Sequence, residues 1–292
     1  MYELIKINEN DYYIDSPSKA GIVKISDSEV VLIDAGNDKG AGKKIKKAIL
    51  DNGWTLKAIL VTHSHADHIG GVKYLQSETG CKVYAKGIER DFTEHTALEG
   101  AFLFGGYAPA ELHSKFFLAD GVEVEPLSDE VIPEGIEAID LPGHSFNMVG
   151  FLTKDKTFFA ADSLSSAETL DKYGVGFIYS VEEYLKTLEA IKEIKANIFV
   201  PSHAPVCEDI SPLADYNIVK TLQICEKILE ICDTGRAFEE VLKEIFDSCS
   251  LTLTLEQYAL VGSAVRSYLV YLRGKGRLEA FVENNTLLWK RI

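Results

Sequence analysis

Cysteine is scarce in this sequence, and its distribution argues against a disulfide framework. Five cysteines occur in 292 residues; they are odd in number, widely scattered, and never arranged as a CxxC pair. This pattern predicts reduced thiols and a cytoplasmic protein. The five are Cys81, Cys207, Cys225, Cys232 and Cys249.

Long apolar runs are also missing. No uninterrupted apolar stretch is long enough to cross a membrane, and residues 1–6 lack the basic start and long apolar segment of a secretory signal. We therefore expect an intracellular protein with no membrane partner.

Basic residues are too few for a chain that grips nucleic acid broadly. Lys and Arg number 30 against 45 Asp and Glu, which gives a formal charge of −15, whereas phosphate binding draws on clustered Lys and Arg. The rest of the composition, 46% apolar and 26% charged residues, is that of an ordinary globule. Its length permits one large domain, or a large domain with a small appendage.

Histidine is concentrated where predicted strands end. The apolar run 57–61 leads directly into Thr-His-Ser-His-Ala-Asp-His, with His63, His65, Asp67 and His68. Alternate side chains on an extended segment point the same way, so His63 and His65 can share one ion. Asp67 and His68 leave the strand and can face a second ion.

Three later segments end in the same manner. The predicted strands 136–141, 156–161 and 197–200 run into His144, Asp162 and His203. Ligands in layered α/β proteins gather at strand ends, so these side chains can meet the first group in one cleft. Either His144 or His203 alone would more often be an ordinary hydrogen-bonded histidine. Because the cluster at 63–68 is present, we instead expect both to be metal ligands.

These elements resemble the metallo-β-lactamase superfamily, whose His-x-His-x-Asp-His signature matches residues 63–68 without a gap. The resemblance implies a four-layer αββα sandwich of the α/β class. It implies two zinc ions, although iron or manganese can use similar ligands. One ion would be held by His63, His65 and His144 and the other by Asp67, His68 and His203, with Asp162 bridging. Asp34 matches a further family position that would tie the ligand loops together.

Zinc chemistry explains this choice of side chains. A catalytic zinc keeps a position for water and lowers the pKa of that water to about 7, and two ions can share a hydroxide. Asp67 could additionally orient the attacking hydroxide, which makes it the predicted catalytic residue. A purely structural zinc is the alternative, but such sites favour cysteine, and no cysteine lies in these motifs.

The sequence pattern changes at about residue 210, where helical periodicity replaces alternating strands and helices. Residues 1–210 predict the catalytic domain, and residues 211–292 predict a helical extension that closes with a β-hairpin at Asn284-Asn285. Helices followed by such a hairpin resemble a winged-helix module. The tail from residue 251 has six basic and three acidic residues, +3, and we expect it to pack or dimerise rather than to contact nucleic acid.

Residues 92–119 look like an insertion with more aromatic side chains than a solvent loop requires. We expect this segment, together with the aromatics that follow Asp162, to wall a substrate pocket. A small satellite core or a dimer contact is an equal alternative. The predicted pocket residues are Phe102, Phe104, Tyr107, Tyr173 and Tyr179, while His95 and His113 are expected to be surface or pocket-lining residues.

The predicted function is that of a zinc-dependent hydrolase. A metal-bridged hydroxide would attack an ester-like carbonyl of a small molecule, a thioester or a lactone, as in the glyoxalase II and lactonase branches that the sequence resembles. Residues 146–148 lack the glycine common after the Gly-His pair in that branch, which argues against a glutathione thioester. The alternatives are a phosphodiesterase or nuclease, an iron-dependent sulfur dioxygenase, or a non-catalytic metal-binding regulator.

Overall fold

The computed structural model describes residues 2–292 and contains two main β-sheets. The first sheet has seven strands in sequential order, antiparallel from the first to the fourth and parallel from the fourth to the seventh. Its strands are β1 (Glu3–Lys6), β2 (Asp11–Asp15), β3 (Ala20–Lys24), β4 (Glu29–Ile33), β5 (Thr55–Leu60), β6 (Lys82–Ala85) and β7 (Glu125–Pro126).

The second sheet has four strands, in the order β11-β10-β9-β8. Strands β8 to β10 pair antiparallel, and β11 pairs parallel to β10. They are β8 (Ile136–Asp140), β9 (Val149–Thr153), β10 (Thr157–Ala161) and β11 (Ile198–Pro201). All five residues of β10 are buried, because both faces of this sheet are covered.

Helices make the crossovers between the parallel strands and form the outer layers. Those before residue 210 are α1 (Lys39–Asp51), α2 (Ala66–Ile69), α3 (Val72–Thr79), α4 (Ile88–Glu94), α5 (Ala97–Phe104), a 3₁₀ turn at Ala110–His113, α6 (Ala167–Tyr173) and α7 (Val181–Ile191). The C-terminal helices are α8 (Ser211–Ile231), α9 (Phe238–Ser248) and α10 (Leu255–Gly274).

Helix α1 shows how the sequence determines one of these elements. Asp38 lies at the N-cap, where its carboxylate accepts a hydrogen bond from the backbone of Ala41 at 2.9 Å. Ile45 and Ile49, four residues apart, are buried against the first sheet, while the lysines between them face solvent. The helix ends before Gly53, whose positive φ of 74° suits a turn.

Three hydrophobic cores separate four layers. Side chains such as Val31, Leu60 and Phe151 pack between the two sheets. The outer face of the first sheet packs on α1 and α3, and the outer face of the second packs on α7 and the C-terminal helices. This arrangement confirms the α/β class and the αββα sandwich.

The C-terminal part is helical, as predicted, and ends in the expected hairpin. Strands β13 (Leu278–Glu283) and β14 (Thr286–Arg291) pair antiparallel, with short strand β12 (Arg236–Ala237) on the far side of β14. Asn284 and Asn285 have φ values of 49° and 60°, the left-handed pair that a two-residue hairpin turn requires. Within residues 2–292, each helix is too short or too polar to span a bilayer.

The core beneath the second sheet continues across residue 210. Phe158 and Leu188 lie in the same buried cluster as Ile228, Val265 and Tyr268 of the C-terminal helices. A buried polar contact crosses the same boundary, since Asn217 of α8 accepts a hydrogen bond from Ser165 N and donates one to Ser165 O, both at 2.9 Å. The two predicted domains therefore share one hydrophobic core, while the division at residue 210 stays a prediction.

Truncation tests whether the boundary at residue 210 separates independent units. A fragment of residues 1–210 would expose the outer face of the second sheet, so we expect it to aggregate or to lack a cooperative thermal transition in circular dichroism. The full chain serves as the control. A fragment that unfolds cooperatively at the midpoint of the full chain would show that residues 1–210 form an autonomous domain.

Candidate metal centre

The segment after β5 brings four ligand-capable side chains to one edge of the first sheet. His63 follows β5 by three residues, His65 lies on extended backbone, and α2 begins immediately after His65. Asp67 and His68 therefore fall in the first helical turn and point away from the strand direction. This change from strand to helix lets one short segment serve two neighbouring groups.

Each of the other three side chains follows a strand of the second sheet. His144 comes after β8, Asp162 directly follows β10, and His203 lies two residues beyond β11. The structure brings all seven predicted ligands together in three overlapping groups whose ligand atoms lie within 4.8 Å of one another. The groups are His63–His65–His144, His63–His68–Asp162 and Asp67–His68–His203.

The first group consists of three imidazoles. His63 Nε2 and His144 Nε2 each lie 3.0 Å from His65 Nδ1. Ligands of a tetrahedral zinc are separated by ~3.3 Å, given zinc–nitrogen bonds of about 2.0–2.1 Å, so the spacing fits such an ion. Burial lowers the pKa of His65 and of His144 to about 4 and that of His63 well below its usual range. All three rings are therefore neutral at pH 7, the form that binds metal.

The Asp67–His68–His203 group, called the second group from here on, combines two imidazoles with a carboxylate. Asp67 Oδ2 lies 3.0 Å from His203 Nε2 and 3.6 Å from His68 Nε2. Asp162 lies between the groups: its Oδ1 is 3.2 Å from His68 Nε2, and its Oδ2 is 3.2 Å from His203 Nε2 and 3.7 Å from His144 Nε2. This central position is what a bridging ligand requires.

Charge pairing dominates the protonation of the second group. Burial opposes protonation of His203, but the Asp162 and Asp67 carboxylates together outweigh it and raise the pKa to about 10. His68 behaves alike, because burial is outweighed by Asp162, Asp67 and Asp34 and its pKa is raised well above the usual value. Burial would raise the pKa of Asp67 and Asp162, yet the facing histidines hold both below the usual range. Without metal, this group holds two imidazolium rings between carboxylates.

The donor set and its surroundings fit a pair of divalent cations. Asp162 Oδ1 is buried without a hydrogen-bond partner of acceptable geometry, although His68 Nε2 is only 3.2 Å away. The rear nitrogens of the rings are held by the protein: His144 Nδ1 donates to Phe177 O at 3.1 Å, and His203 Nδ1 donates to Pro17 O at 2.9 Å. Their Nε2 atoms are thereby aimed into the centre, as in zinc-binding histidines.

Asp34 connects ligands of both groups. Its Oδ2 accepts hydrogen bonds from His68 Nδ1 at 2.8 Å and from Thr62 Oγ1 at 2.7 Å, and its Oδ1 accepts one from Thr62 N. Because the Thr62 hydroxyl donates to Asp34, it accepts from His63 Nδ1 at 3.0 Å. The structure thus places Asp34 behind the ligands, where it was predicted to tie the ligand loops together.

Unusual backbone conformations occur next to the ligands, at three points where the chain leaves a strand. Asp34 and Ala161 have φ values of 59° and 50°, a left-handed conformation that is uncommon outside glycine and concentrated at functional sites. Gly143 has a φ of 124°, and a Cβ there would lie 2.2 Å from the backbone nitrogen of Tyr184. The loop that carries His144 therefore packs directly on α7 and has no room for a side chain.

Glu89 is a site-supporting residue that sequence reasoning missed. It is completely buried in the first turn of α4 and accepts four hydrogen bonds from the two ligand loops. Oε2 accepts from Ser64 N at 3.0 Å and Ser64 Oγ at 2.7 Å, while Oε1 accepts from Ser145 Oγ and from Asn147 N at 2.9 Å. Ser64 lies between His63 and His65, and Ser145 follows His144. The only signal in the sequence is a serine beside each of these ligands.

A cavity of about 360 Å³ opens beside the ligands, but the five predicted aromatic residues do not line it. Phe104, Tyr107 and Tyr173 are exposed, and Phe102 and Tyr179 stack with Phe146 in a separate aromatic cluster. The lining consists instead of His65, Ala66, Asp67, Glu99, Leu103, Phe116, Phe117, Phe177 and Leu260.

Helical geometry explains this correction. Glu99 and Leu103 are four residues apart on α5 and face the cavity, whereas Phe102 lies on another face of the same helix. Glu99 Oε1 lies 3.7 Å from His65 Nε2, and burial, with a smaller effect from Glu89, raises the pKa of Glu99 to about 8. His95 and His113 are exposed and lie outside the cavity lining.

Comparison with known proteins agrees with this geometry. Residues 14–203, more than half of the chain, match the model of the metallo-β-lactamase superfamily. The chain belongs to this superfamily. The matched segment contains all seven ligand candidates and Asp34, but it excludes the C-terminal helices.

Curated relatives of this superfamily member match it over part of their length. It is 29% identical to the probable metallo-hydrolase YqgX of Bacillus subtilis, over 52% of this chain and 66% of that protein. Identity is 33% to a hydroxyacylglutathione hydrolase of Rhodopseudomonas palustris, over 45% and 43% of the two chains. An atrochrysone carboxyl ACP thioesterase of Aspergillus fumigatus is 23% identical, over 63% and 50%. The chain thus spans between two fifths and two thirds of these relatives.

A solved structure shares the fold of this protein over almost its whole length. A metallo-β-lactamase family protein from Thermus thermophilus superposes with a TM-score of 0.72, covering 99% of this chain and 97% of that one at 15% identity. The C-terminal helices and hairpin are included in that coverage, so this architecture occurs in other members of the superfamily.

Replacing Glu89 tests its proposed role in holding the ligand loops. Glu89→Ala would leave the buried donors of Ser64 and Ser145, and the backbone nitrogen of Asn147, without their acceptor. We therefore expect a loss of about 3 kcal/mol or more in the free energy of unfolding of the metal-free protein. Chemical denaturation measures this loss. Glu89→Gln, which keeps one acceptor oxygen, should lose less, and Glu78→Ala on the surface should leave the midpoint nearly unchanged. Equal midpoints for Glu89→Ala and the parent chain would contradict the assignment.

Zinc titration should distinguish the two ligand groups by proton release. The first group is already neutral at pH 7, whereas an ion entering the second must displace the protons of His68 and His203. The affinity for the second ion should therefore rise with pH, by up to about tenfold per pH unit for each proton released. Calorimetry in two buffers with different protonation enthalpies counts these protons. Release of equal numbers for both ions would contradict this difference.

Proposed function

We propose that this protein is a metal-dependent hydrolase that uses two zinc ions to cleave an ester-like bond, a thioester or a lactone, in a small molecule. The observation that carries the proposal is the convergence of five imidazoles and two carboxylates beside a cavity large enough for a ligand. The names of the relatives, a metallo-hydrolase, a hydroxyacylglutathione hydrolase and a thioesterase, support hydrolysis of this kind.

The seven ligand candidates would hold the two metal ions of such a reaction. When bound, zinc would lower the pKa of a water molecule to about 7 and polarise the substrate carbonyl. His63, His65 and His144 would hold one ion, and Asp67, His68 and His203 the other, with Asp162 between them.

Asp67 is suited to orient the attacking water. Its carboxylate lies at the mouth of the cavity, where its pKa is held below the usual range by His68 and His203 despite burial. An ionised carboxylate at this position can accept a hydrogen bond from water throughout the neutral pH range.

The cysteines support a reducing, cytoplasmic location as part of the same proposal. All five are free thiols in the described residues, and Cys81, Cys225 and Cys232 are buried. A protein with this many unpaired cysteines fits a compartment that keeps thiols reduced.

Metal analysis combined with a substrate panel tests the proposed activity. We expect up to two zinc ions per chain and hydrolysis of at least one thioester or lactone, abolished by a chelator and restored by zinc. His65→Ala should reduce kcat/KM by at least about a hundredfold, because changes that only reorient a ligand already cost tenfold to hundredfold. His113→Ala, an exposed histidine away from the ligands, is the matched control.

Three results would count against the proposal. Hydrolysis that survives His65→Ala undiminished would contradict the assigned site. A content of less than one metal ion per chain, together with no turnover of any ester, would contradict the proposed enzymatic activity. Preferential cleavage of phosphodiesters over every ester would favour the phosphodiesterase alternative.

A further inference from the structure

The cavity beside the ligands has a mainly apolar lining. Leu103, Phe116, Phe117, Phe177 and Leu260 supply the walls, whereas the polar lining consists of His65, Asp67 and Glu99. Leu103 is 3% exposed and anchors a small core, with Phe117, Phe177 and Leu260 packed around it. Four of the five wall residues thus belong to this small core or pack against it, while Phe116 is 70% exposed.

The cavity is in contact with both ligand groups. His65 belongs to the first group and Asp67 to the second, and both line the cavity. A carbonyl carbon placed between the two groups would therefore have one substituent directed into the apolar space. The volume of about 360 Å³ lies at the small end of ligand sites, which suits an alkyl chain rather than a ring system with a bulky headgroup.

Part of the wall lies outside the residues that match the superfamily model. Leu103 lies on α5 and the two adjacent phenylalanines lie in the loop after the 3₁₀ turn, all within the inserted segment 92–119. Leu260 lies on α10, which is outside the matched residues 14–203. The C-terminal part therefore contributes directly to the shape of the cavity.

We infer that this cavity is an acyl-chain pocket that selects substrates with an unbranched, medium-length alkyl chain on the carbonyl. The inference rests on the proposed function and specifies its substrate class. Each methylene that enters the pocket is removed from water, and the carbonyl it follows is thereby aligned between His65 and Asp67. Five of the nine lining residues are large apolar side chains and Glu99 is the one carboxyl group among them that is not a ligand candidate, so a charged acyl substituent would lose its hydration and gain few partners.

A series of thioesters that share one thiol tests the pocket by turnover. From acetyl through butanoyl to hexanoyl, we expect kcat/KM to rise by about fourfold for each added methylene. Leu260→Trp should fill the pocket and remove at least tenfold from the hexanoyl value while changing the acetyl value less than threefold. Val270→Trp, an exposed position on the same helix, is the matched control and should change neither value.

Binding of free carboxylates to the zinc-loaded protein tests the pocket without any turnover. Hexanoate should bind at least tenfold more tightly than acetate, and Leu260→Trp should remove this difference. If neither a thioester nor a lactone is hydrolysed but hexanoate shows this preference, the pocket is supported and the proposed hydrolase function fails. If thioesters are hydrolysed at rates indifferent to chain length, or hexanoate binds no better than acetate, the pocket is overturned while the hydrolase function can stand.

Discussion

The arrangement of the site depends on one electrostatic constraint. Imidazole nitrogens 3.0 Å apart, such as His65 Nδ1 and His144 Nε2, would repel through their lone pairs unless a cation or a proton lies between them. In the first group burial keeps the rings neutral, so that each ring can offer a nitrogen lone pair to a divalent cation. In the second group protons occupy that position until a metal replaces them. The same cluster is thus a stable array of ion pairs and a site ready for metal.

The surrounding fold holds the closely spaced ligands in place through hydrogen bonds on the side away from the metal site. Asp34 reaches the first group through Thr62 and the second group directly through His68. Glu89 ties the loop of His63 and His65 to the loop of His144. These two buried carboxylates belong to the first sheet and to α4, so the ligands from the two sheets are aligned by contacts independent of metal.

Much of the site could be predicted because its signals are local. A strand followed at once by His, or by Asp, is visible in one short window, and this sufficed for the elements that carry His63, His144, Asp162 and His203. The αββα layers followed from the family resemblance, and the terminal hairpin from its Asn-Asn turn.

The remaining features depend on tertiary contacts that no local pattern encodes. Glu89 is an ordinary helical glutamate in the sequence, and only the meeting of two distant loops gives it four donors. The choice of aromatic pocket residues relied on composition, whereas the wall was determined by which face of α5 turns inward and by Leu260, which is far from Leu103 in the chain. The shared core across residue 210 is equally invisible, because its partners lie on elements far apart in the chain.

A crystal structure of the zinc-loaded protein, with an anomalous difference map at the zinc edge, would show directly whether this cluster binds two metal ions. We expect two peaks about 3.5–4 Å apart, one of them within about 2.1 Å of His63 Nε2, His65 Nδ1 and His144 Nε2. The other peak should lie among Asp67, His68 and His203, with Asp162 contacting both. A map with no peak at these side chains, from crystals that contain zinc, would contradict the assignment of this cluster as a metal centre.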